Sequence, residues 1–529
     1  MLATLVTAVV DGLAGSLIRV EVDVAPGIPM TRLVGLPDAA LSEARERVRA
    51  AIRNAGFEYP ASRVTVNLAP ADRPKRGAAY DLAIAVGVLV ASGQIHAGGG
   101  SWALLGELSL DGSLQAVSGV LPMVATLVRA GHRRIAVPAA NAAEGRLVAG
   151  AEVVAVQGLD DAARLVAGPR GRRAATASRR PATRVSAVDP HGDRPADTTR
   201  PASLVAPIEA VDLADVRGQA TARWALEIAL AGCHNLLLVG PPGAGKTLLA
   251  RSIPRLLPPL DDGEALEATV VASVAGLLTG VAGLCRDRPF RAPHHTSSYA
   301  ALVGGGPRLA PGEVTLAHRG VLFLDELAEF DRDVLDALRQ PLEDGSVTIA
   351  RAGGQVQYPA RLQLVAAMNP CRCGFAGDAS RPCTCPTGEP ERYVRRVSGP
   401  LLDRLDLRVE MERVPPAALL EGDPPEPSVQ VATRIAAARE VARQRNGGVP
   451  NALLSGSAVL RVGGFDGRAR RRLEEVAARQ LLTARGVHRL ARVARTIADL
   501  AGQGSVDEAT ILAAANLRDP AGRPWELAA

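Results

Sequence analysis

A glycine-rich loop at residues 240–247 constrains the fold of this 529-residue chain more than any other segment. It matches the phosphate-loop pattern G-x-x-x-x-G-K-[ST] at every specified position, and its residues are Gly240, Pro241, Pro242, Gly243, Ala244, Gly245, Lys246 and Thr247. An apolar segment, Leu236–Val239, precedes the loop and a helical pattern follows it. This strand–loop–helix context predicts an α/β fold with a phosphate-binding core.

The scarcity of lysine in the chain strengthens the prediction that this loop binds phosphate. The 61 Lys and Arg residues include only two lysines, Lys75 and Lys246. A phosphate loop requires a compact ammonium beside the phosphates, and a planar guanidinium is a poor substitute. The hydroxyl of Thr247 is the expected magnesium ligand. The pattern therefore predicts ATP and Mg²⁺ as cofactors, bound by all eight loop residues.

Two later apolar segments end in polar residues suited to nucleotide hydrolysis. The segment Val321–Leu324 runs into Asp325 and Glu326, the Walker B form, in which Asp325 holds magnesium and Glu326 orients or activates water. The segment from Leu362 to Ala367 leads to Asn369, a candidate sensor of the γ-phosphate. The alternative for Asn369 is a simple turn, because Asn-Pro pairs favour turns.

Composition indicates a globular protein whose partner could be a polyanion. The chain is 47% hydrophobic with a formal net charge of +6 and 3% aromatic residues. The positive balance permits a nucleic-acid partner, although arginine-rich coding in a GC-rich genome produces it as well. No basic leader and no apolar run of about 18 residues is found, so we expect a cytoplasmic protein without a membrane partner.

The chain divides at two changes of composition. Residues 168–206 are rich in Arg, Pro, Ala, Thr and Ser without apolar periodicity, which predicts a flexible basic linker. Prolines between 415 and 427 mark a second boundary. We therefore expect an α/β domain at 1–167, an ATPase core at 207–412 and a helical lid at 413–529.

Four of the six cysteines are clustered, at Cys371, Cys373, Cys383 and Cys385. In a cytosolic chain such a cluster favours metal over disulfides, and four thiolates form a closed structural zinc site. The C-x-C spacing is tighter than the usual zinc pattern. Reduced structural thiols and a redox switch therefore remain alternatives.

The segment from Ser398 to Leu407 resembles the S-G-P-L-L-D-R segment of AAA+ ATPases. The resemblance implies that Arg404 lies at a subunit edge and reaches the γ-phosphate of a neighbouring subunit; an ion pair with Asp403 or Asp406 is the alternative. Arg485, at the start of a predicted helix, is our candidate second sensor, with Arg492 as the second choice.

Together with residues 291–298 and 312–320, these motifs resemble the magnesium-chelatase-like AAA+ family, most closely its competence-associated ComM/YifB branch. The resemblance covers nearly the whole chain. It implies a homo-oligomeric ring, most often hexameric, with hairpin inserts near 290–310 and 345–360 that face the pore. Arg351 lies at an expected hairpin turn and either contacts a nucleic-acid backbone or is merely solvated. His294 and His295 are expected to be structural.

Residues 1–167 resemble the S5-like fold shared with the Lon protease domain. The position of the protease nucleophile is Ala79, and that of its catalytic lysine is Met123. A Ser–Lys dyad without either partner cannot acylate, so this domain is expected to be a non-peptidase scaffold. Lys75 lies in the same segment, with either a functional or a packing role.

The family resemblance implies DNA helicase or branch-migration activity in recombination or natural transformation. Since few aromatic residues are present to stack on bases, contacts to DNA would be mainly to phosphates, and we expect little dependence on DNA sequence. A chelatase-type motor subunit and a protein-remodelling ATPase are the alternatives. The first would require partner subunits, and the second would act on polypeptides without DNA.

Overall fold

The computed structural model describes residues 1–35, 40–71, 77–98, 100–168, 210–278, 283–306, 309–351, 354–378, 380–415 and 425–518. Lys75 and the predicted linker, apart from Gly168, lie outside the described residues. No helix among the described ranges is long and apolar enough to cross a membrane.

The N-terminal region is built on a seven-stranded mixed sheet with the order β3-β4-β2-β1-β5-β8-β9. Its first two strands form an antiparallel hairpin, whereas β5, β8 and β9 are parallel. The strands of this region, with the separate pair β6–β7, are β1 Leu2–Asp11, β2 Ala14–Ala25, β3 Met30–Val34, β4 Arg63–Ala69, β5 Ala103–Leu104, β6 Glu107–Leu108, β7 Leu114–Gln115, β8 Arg134–Pro138 and β9 Glu152–Val156. The helices are α1 Ala40–Asn54, α2 Asp81–Ala91, α3 Val120–Arg129, α4 Ala142–Gly145 and α5 Leu159–Ala167.

Residue pattern explains how this region packs. In β2, Ile18, Val20 and Val22 alternate with polar residues, and all three side chains are fully buried. Helix α2 is apolar around nearly its whole circumference and is correspondingly buried against the sheet. Its first residue, Asp81, forms a two-point ion pair with Arg47 of α1.

The central region is a five-stranded, fully parallel sheet with the order β11-β14-β17-β10-β18. Two short antiparallel hairpins, β12–β13 and β15–β16, stand outside it. The strands are β10 Leu236–Val239, β11 Phe290–Arg291, β12 Gly304–Gly305, β13 Ala310–Pro311, β14 Val321–Leu324, β15 Ser346–Arg351, β16 Gly354–Pro359, β17 Gln363–Met368 and β18 Leu407–Glu410. The helices are α6 Ala220–Gly232, α7 Lys246–Arg251, α8 Ile253–Leu256, α9 Asp262–Val274, α10 Tyr299–Val303, α11 Glu313–Leu316, α12 Arg332–Ala337, α13 Arg339–Asp344, α14 Glu389–Val394 and α15 Gly399–Leu402. The predicted α/β class is confirmed.

Strand order determines which loops meet. Strand β17 lies between β10 and β14, and all three run in the same direction. Their carboxyl ends therefore open on one edge of the sheet, where ligands of parallel α/β sheets bind. The residues that follow these ends are the glycine-rich loop, Asp325 and Asn369.

The C-terminal region is helical. Its helices are α16 Ser428–Asn446, α17 Gly456–Val462, α18 Gly467–Arg479, α19 Ala484–Leu500 and α20 Glu508–Asn516. Helix α19 buries Leu490, Ala491, Val493, Ala494 and Ala498 on one face, and these residues share a hydrophobic core with α6 and β10. The helices therefore pack on the central sheet rather than forming a separate core.

The N-terminal and central regions are joined by buried polar contacts. The backbone N–H of Gly119 donates to the carbonyl of Ser273 at 2.8 Å, and the hydroxyl of Ser273 donates to the carboxylate of Glu144. The same carboxylate accepts from the backbone of Leu121 at 2.9 Å. Helix α3 is thereby fixed against the end of α9.

Candidate functional site

The phosphate loop holds Lys246 as a buried ammonium. Gly243 and Gly245 have positive φ values of 80° and 90°, a conformation that glycine adopts without strain and that turns the chain into α7. The Nζ of Lys246 donates to the carbonyls of Gly240 at 2.6 Å and Pro241 at 3.0 Å. Burial lowers the pKa of Lys246 to about 8, although Asp325 and Glu326 act to raise it. The Lys246 ammonium is thus buried, and the two carboxylates offset only part of the effect of burial on its pKa.

The two predicted magnesium ligands lie together. The hydroxyl of Thr247 donates to Oδ2 of Asp325 at 2.6 Å. Both are hard oxygen donors, the type that Mg²⁺ prefers. The other carboxylate oxygen of Asp325 accepts from the backbone N–H of Glu326 at 2.9 Å. The donor set at this edge of the sheet is therefore suited to Mg²⁺.

Glu326 has a partner that sequence analysis did not assign. Its backbone adopts a positive φ of 53°, which is uncommon for a residue with a side chain. Its Oε2 lies 2.9 Å from Nδ1 of His295, whose ring packs edge-on against Phe330. His295, expected to be structural, thus contacts the carboxylate predicted to act on water. His294 stacks on His295 at 4.2 Å and contacts Thr296 instead.

Asn369 completes this group of side chains. Its Oδ1 accepts from the Nζ of Lys246 at 3.0 Å, which the position of β17 between β10 and β14 explains. The structure therefore brings five predicted residues to one sheet edge, namely Lys246, Thr247, Asp325, Glu326 and Asn369.

Gln219 is a further contact of the loop that sequence analysis missed. Its side-chain amide donates to the backbone carbonyls of Ala244 at 3.0 Å and Glu412 at 2.7 Å. It ties the phosphate loop to the segment after β18. The only signal in the sequence was a glutamine following Gly218 ahead of a helical run.

Arg404 and Arg485 form a second group. Arg404 pairs with Glu343 and donates to the carbonyl of Pro400, and the alternative pairing with Asp403 or Asp406 is not what the structure has. Arg485 is highly exposed, with its guanidinium 4.0 Å from the same Glu343. Hydrogen bonding to Arg404 lowers the pKa of Glu343. No contact among the described residues joins this group to the phosphate loop.

Arg492, the second choice for a sensor, has a different environment. Burial lowers its pKa, with Asp406 acting in the opposite sense. Its Nε is buried without a hydrogen-bond partner among the described residues. Arg485 is the more accessible of the two arginines.

Hairpins occur in both predicted insert regions. Residues Gly304–Gly305 pair with Ala310–Pro311, and Ser346–Arg351 pairs with Gly354–Pro359. Arg351 ends its strand, with its backbone opposite Gly354. It therefore borders the tip of the hairpin, in the region where the family resemblance implied an insert.

The four clustered cysteines converge. Their sulfur atoms all lie within 4.8 Å of one another. The Sγ of Cys371 lies 3.4 Å from that of Cys373 and 3.7 Å from that of Cys383, and the latter two are 3.5 Å apart. A disulfide requires about 2.05 Å. The cluster is thus a set of free thiols at metal-ligand spacing.

Ala79 and Met123, which occupy the positions of the protease nucleophile and lysine, pack in one buried apolar cluster with Leu105 and Val137. Two apolar side chains in a dry cluster offer neither a nucleophile nor a base.

Three family models match successive parts of the chain. They are "Subunit ChlI of Mg-chelatase" at residues 20–141, "Magnesium chelatase, subunit ChlI" at 212–419 and "Magnesium chelatase, subunit ChlI C-terminal" at 425–518. Together they cover part of the N-terminal sheet, the parallel sheet with the phosphate loop, and the C-terminal helices.

Individual relatives match over most of the chain. An uncharacterized protein of Mycobacterium tuberculosis is 45% identical over 97% of this chain and 98% of its own length. Competence protein ComM of Haemophilus influenzae is 42% identical over 94% of this chain and 93% of its own, and uncharacterized protein YifB of Escherichia coli is 41% identical over 91% and 90%. The chain belongs to the ComM/YifB branch of the magnesium-chelatase-like AAA+ ATPase family.

Proposed function

We propose that this protein is a ring-forming ATPase that couples ATP hydrolysis to movement on DNA, as a helicase or branch-migration motor in recombination or natural transformation. The observation that carries the ATPase part is the convergence of Lys246, Thr247, Asp325, Glu326 and Asn369 at the carboxyl edge of the parallel sheet.

Each residue at this edge has a distinct task. Loop residues Gly240–Thr247 bind the phosphates through backbone N–H groups, and Lys246 neutralises them. Thr247 and Asp325 hold Mg²⁺, which offsets phosphate charge when bound. Glu326 orients the attacking water, with its carboxylate held by His295. Asn369 contacts the γ-phosphate from the neighbouring strand.

Arg404 and Arg485 act on a neighbouring subunit. Both converge on Glu343 and neither contacts the phosphate loop among the described residues. An arginine can stabilise a phosphate during transfer only if its guanidinium reaches that phosphate. Since these arginines do not reach the phosphate loop of their own subunit, the nucleotide they act on is bound by the phosphate loop of a neighbouring copy. A closed ring, hexameric in our proposal, brings this surface against the next phosphate loop.

Several observations support DNA as the substrate. The chain carries a net charge of +6, and the hairpin of Ser346–Arg351 and Gly354–Pro359 has an arginine, Arg351, beside its turn. One relative is named a competence protein. With 3% aromatic residues, grip on DNA depends mainly on phosphate contacts, which carry little sequence information.

The test is ATP hydrolysis measured with no DNA, with forked DNA and with four-way DNA, across a salt titration. We expect stimulation by DNA of any sequence, and loss of affinity with rising salt because phosphate contacts release counterions. Arg351→Ala weakens the stimulation and leaves basal hydrolysis unchanged. Basal hydrolysis without any DNA binding at low salt would contradict the DNA assignment and favour a chelatase-type or protein-remodelling motor.

For the four cysteines we propose one structural zinc ion per chain. Tetrahedral Zn–S bonds of about 2.3 Å give sulfur separations of about 3.8 Å. Three of the sulfur separations are 3.4, 3.5 and 3.7 Å, and all four sulfur atoms lie within 4.8 Å of one another. The backbone N–H of Ala376 points at the Sγ of Cys371 at 3.3 Å, a contact that stabilises a thiolate.

We propose that the N-terminal region, residues 1–167, is the S5-like domain that the resemblance implies. The apolar surroundings of Ala79 and Met123 support its role as a non-peptidase scaffold. The linker at 168–206 then joins it to the ATPase core at 207–412, and the helices of 413–529 act as the lid. We propose that the protein works in the cytoplasm, because chromosomal DNA, ATP and reduced thiolate ligands are found together there.

A further inference from the structure

The cysteine cluster is connected to the nucleotide site at two points. Cys371 follows Asn369 by two residues, directly after β17, and it is fully buried. The turn that begins at Cys371 closes when the backbone N–H of Gly374 donates to the Cys371 carbonyl at 3.0 Å. Gly374 then packs on Pro242 of the phosphate loop.

The contact between Gly374 and Pro242 is close enough to transmit position. A Cβ at Gly374 would lie 2.5 Å from Cδ and 2.7 Å from Cγ of Pro242, and the φ of Gly374 is +86°. A glycine is required here by both conformation and space. No side chain lies between Gly374 and the ring of Pro242. A displacement of the cysteine loop, residues 371–385, therefore pushes directly on Pro242 of the phosphate loop.

Among the residues that the structure describes, the cysteine loop, residues 371–385, has few anchors besides its sulfur atoms, one being the ion pair of Asp378 with Arg413 at 3.5 Å. Apart from Cys371, the one buried apolar side chain among its described residues is Phe375, at 9% exposure. The Phe375 ring lies beneath the guanidinium groups of Arg381 and Arg413, at 4.3 and 5.1 Å. A segment with so small a core is ordered mainly by its cross-links, and metal-binding free energy becomes folding free energy in such cases.

We infer that a zinc ion held by Cys371, Cys373, Cys383 and Cys385 braces the phosphate loop through Gly374 and Pro242, so that zinc and nucleotide strengthen each other's binding. The inference rests on the proposed ATPase function. Coupling between two sites is reciprocal, and a typical value corresponds to about 5- to 150-fold in affinity. The coupling can therefore be measured either as an effect of nucleotide on zinc release or as an effect of zinc on nucleotide affinity.

The first experiment uses the full-length wild-type protein. Zinc is quantified by elemental analysis, and its release to a chromogenic chelator is timed with and without Mg²⁺ and a non-hydrolysable ATP analogue. We expect about one zinc per chain and a release at least about fivefold slower with nucleotide. In Lys246→Ala, zinc content is unchanged and nucleotide has no effect on release.

The second experiment measures binding of a fluorescent ATP analogue to protein with and without zinc, with Mg²⁺ restored. Cys383→Ser combined with Cys385→Ser lowers affinity at least about fivefold, while Cys233→Ser, a half-buried cysteine outside the cluster, does not. Circular dichroism verifies that the variants are folded, and the wild-type release rates stand independently of them.

The outcomes separate the two proposals. Wild-type protein that binds the analogue equally well with and without zinc, or that contains no zinc, overturns the brace and leaves the ATPase proposal intact. Zinc-loaded protein that binds no nucleotide overturns the ATPase proposal itself and the brace with it.

Discussion

At the residue scale, Lys246 links nucleotide binding to pH. Burial lowers its pKa from 10.5 to about 8, so the free site loses its cation just above neutrality. Phosphates bind the ammonium and not the neutral amine. We expect the dissociation constant for ATP to rise above about pH 8, approaching about tenfold per pH unit. Equilibrium binding titrations between about pH 7 and about pH 9.5 measure this.

The matched control is Lys246→Arg, because a guanidinium keeps its charge over that range. We expect this variant to bind ATP more weakly, with an affinity that does not depend on pH. A pH-independent affinity for the wild type would contradict the prediction.

The folding stability of the protein depends on pH in the opposite sense to its affinity for ATP. The lowered pKa of Lys246 contributes stability that is present above pH 10.5 and lost as pH falls through about 8.

The contact between His295 and Glu326 leads to a second prediction, which concerns the rate of ATP hydrolysis. We expect Glu326→Gln to retain ATP binding but to hydrolyse ATP about 10²–10⁴-fold more slowly, since only the carboxylate that we propose activates water is lost. His295→Ala leaves the carboxylate present but misoriented, and lowers the turnover number about tenfold without changing ATP affinity.

His295→Asn, which retains a donor, recovers part of the rate, whereas His294→Ala has little effect because His294 contacts Thr296. Steady-state hydrolysis with a parallel binding measurement distinguishes these outcomes. Equal rates for His295→Ala and the wild type would remove His295 from the site.

At the scale of elements, helix α19 is held by a buried ionic network. Asp499 accepts from Arg445 at 2.8 Å, Asn451 at 2.8 Å and Arg495 at 3.1 Å. Arg495 is 1% exposed and also donates to the carbonyls of Gly463, Gly504 and Gln503. This network fixes the loops around α19 as well as the helix.

Asp499→Ala leaves the Arg495 cation buried without its counter-charge. We expect a loss of about 3–5 kcal/mol in local stability. Hydrogen exchange of the amides in α16 and α19 reports this loss. Asp507→Ala, which removes only the N-cap of α20, costs about 1 kcal/mol and serves as the reference. Similar protection in both variants would show that the network contributes little.

At the scale of the whole molecule, the separation of Arg404 from the phosphate loop predicts complementation between subunits. Arg404→Ala binds ATP with near-normal affinity but loses hydrolysis, by roughly 10³-fold or more for a finger arginine. Lys246→Ala binds no nucleotide. Mixed in equal amounts, the two inactive variants regain part of the activity, because some interfaces pair an intact finger with an intact loop.

The measurement is hydrolysis across mixing ratios at a concentration where the ring assembles, verified by light scattering. Each variant alone at the same total concentration is the control. Normal hydrolysis by assembled Arg404→Ala, or no recovery at any ratio, would contradict action on a neighbouring subunit.

Features that depend on residues adjacent in the chain could be predicted from the sequence: the strand–loop–helix around Lys246, the acid pair after Val321–Leu324 and the clustered cysteines. A phosphate loop is recognisable from local spacing because its contacts join residues close in the chain. The hairpin of Ser346–Arg351 and Gly354–Pro359 was expected only from the family resemblance. The family of the chain followed from the same motifs.

Contacts between residues that are distant in the chain depend on the tertiary fold. The insertion of β17 between β10 and β14 brings Asn369 to Lys246, and the loop after β11 brings His295 to Glu326. Arg404, in the turn after α15, and Arg485, in the first turn of α19, both reach Glu343. Strand order and helix packing are set by the burial of apolar faces across the whole core, and no local pattern in a single sequence encodes those pairings.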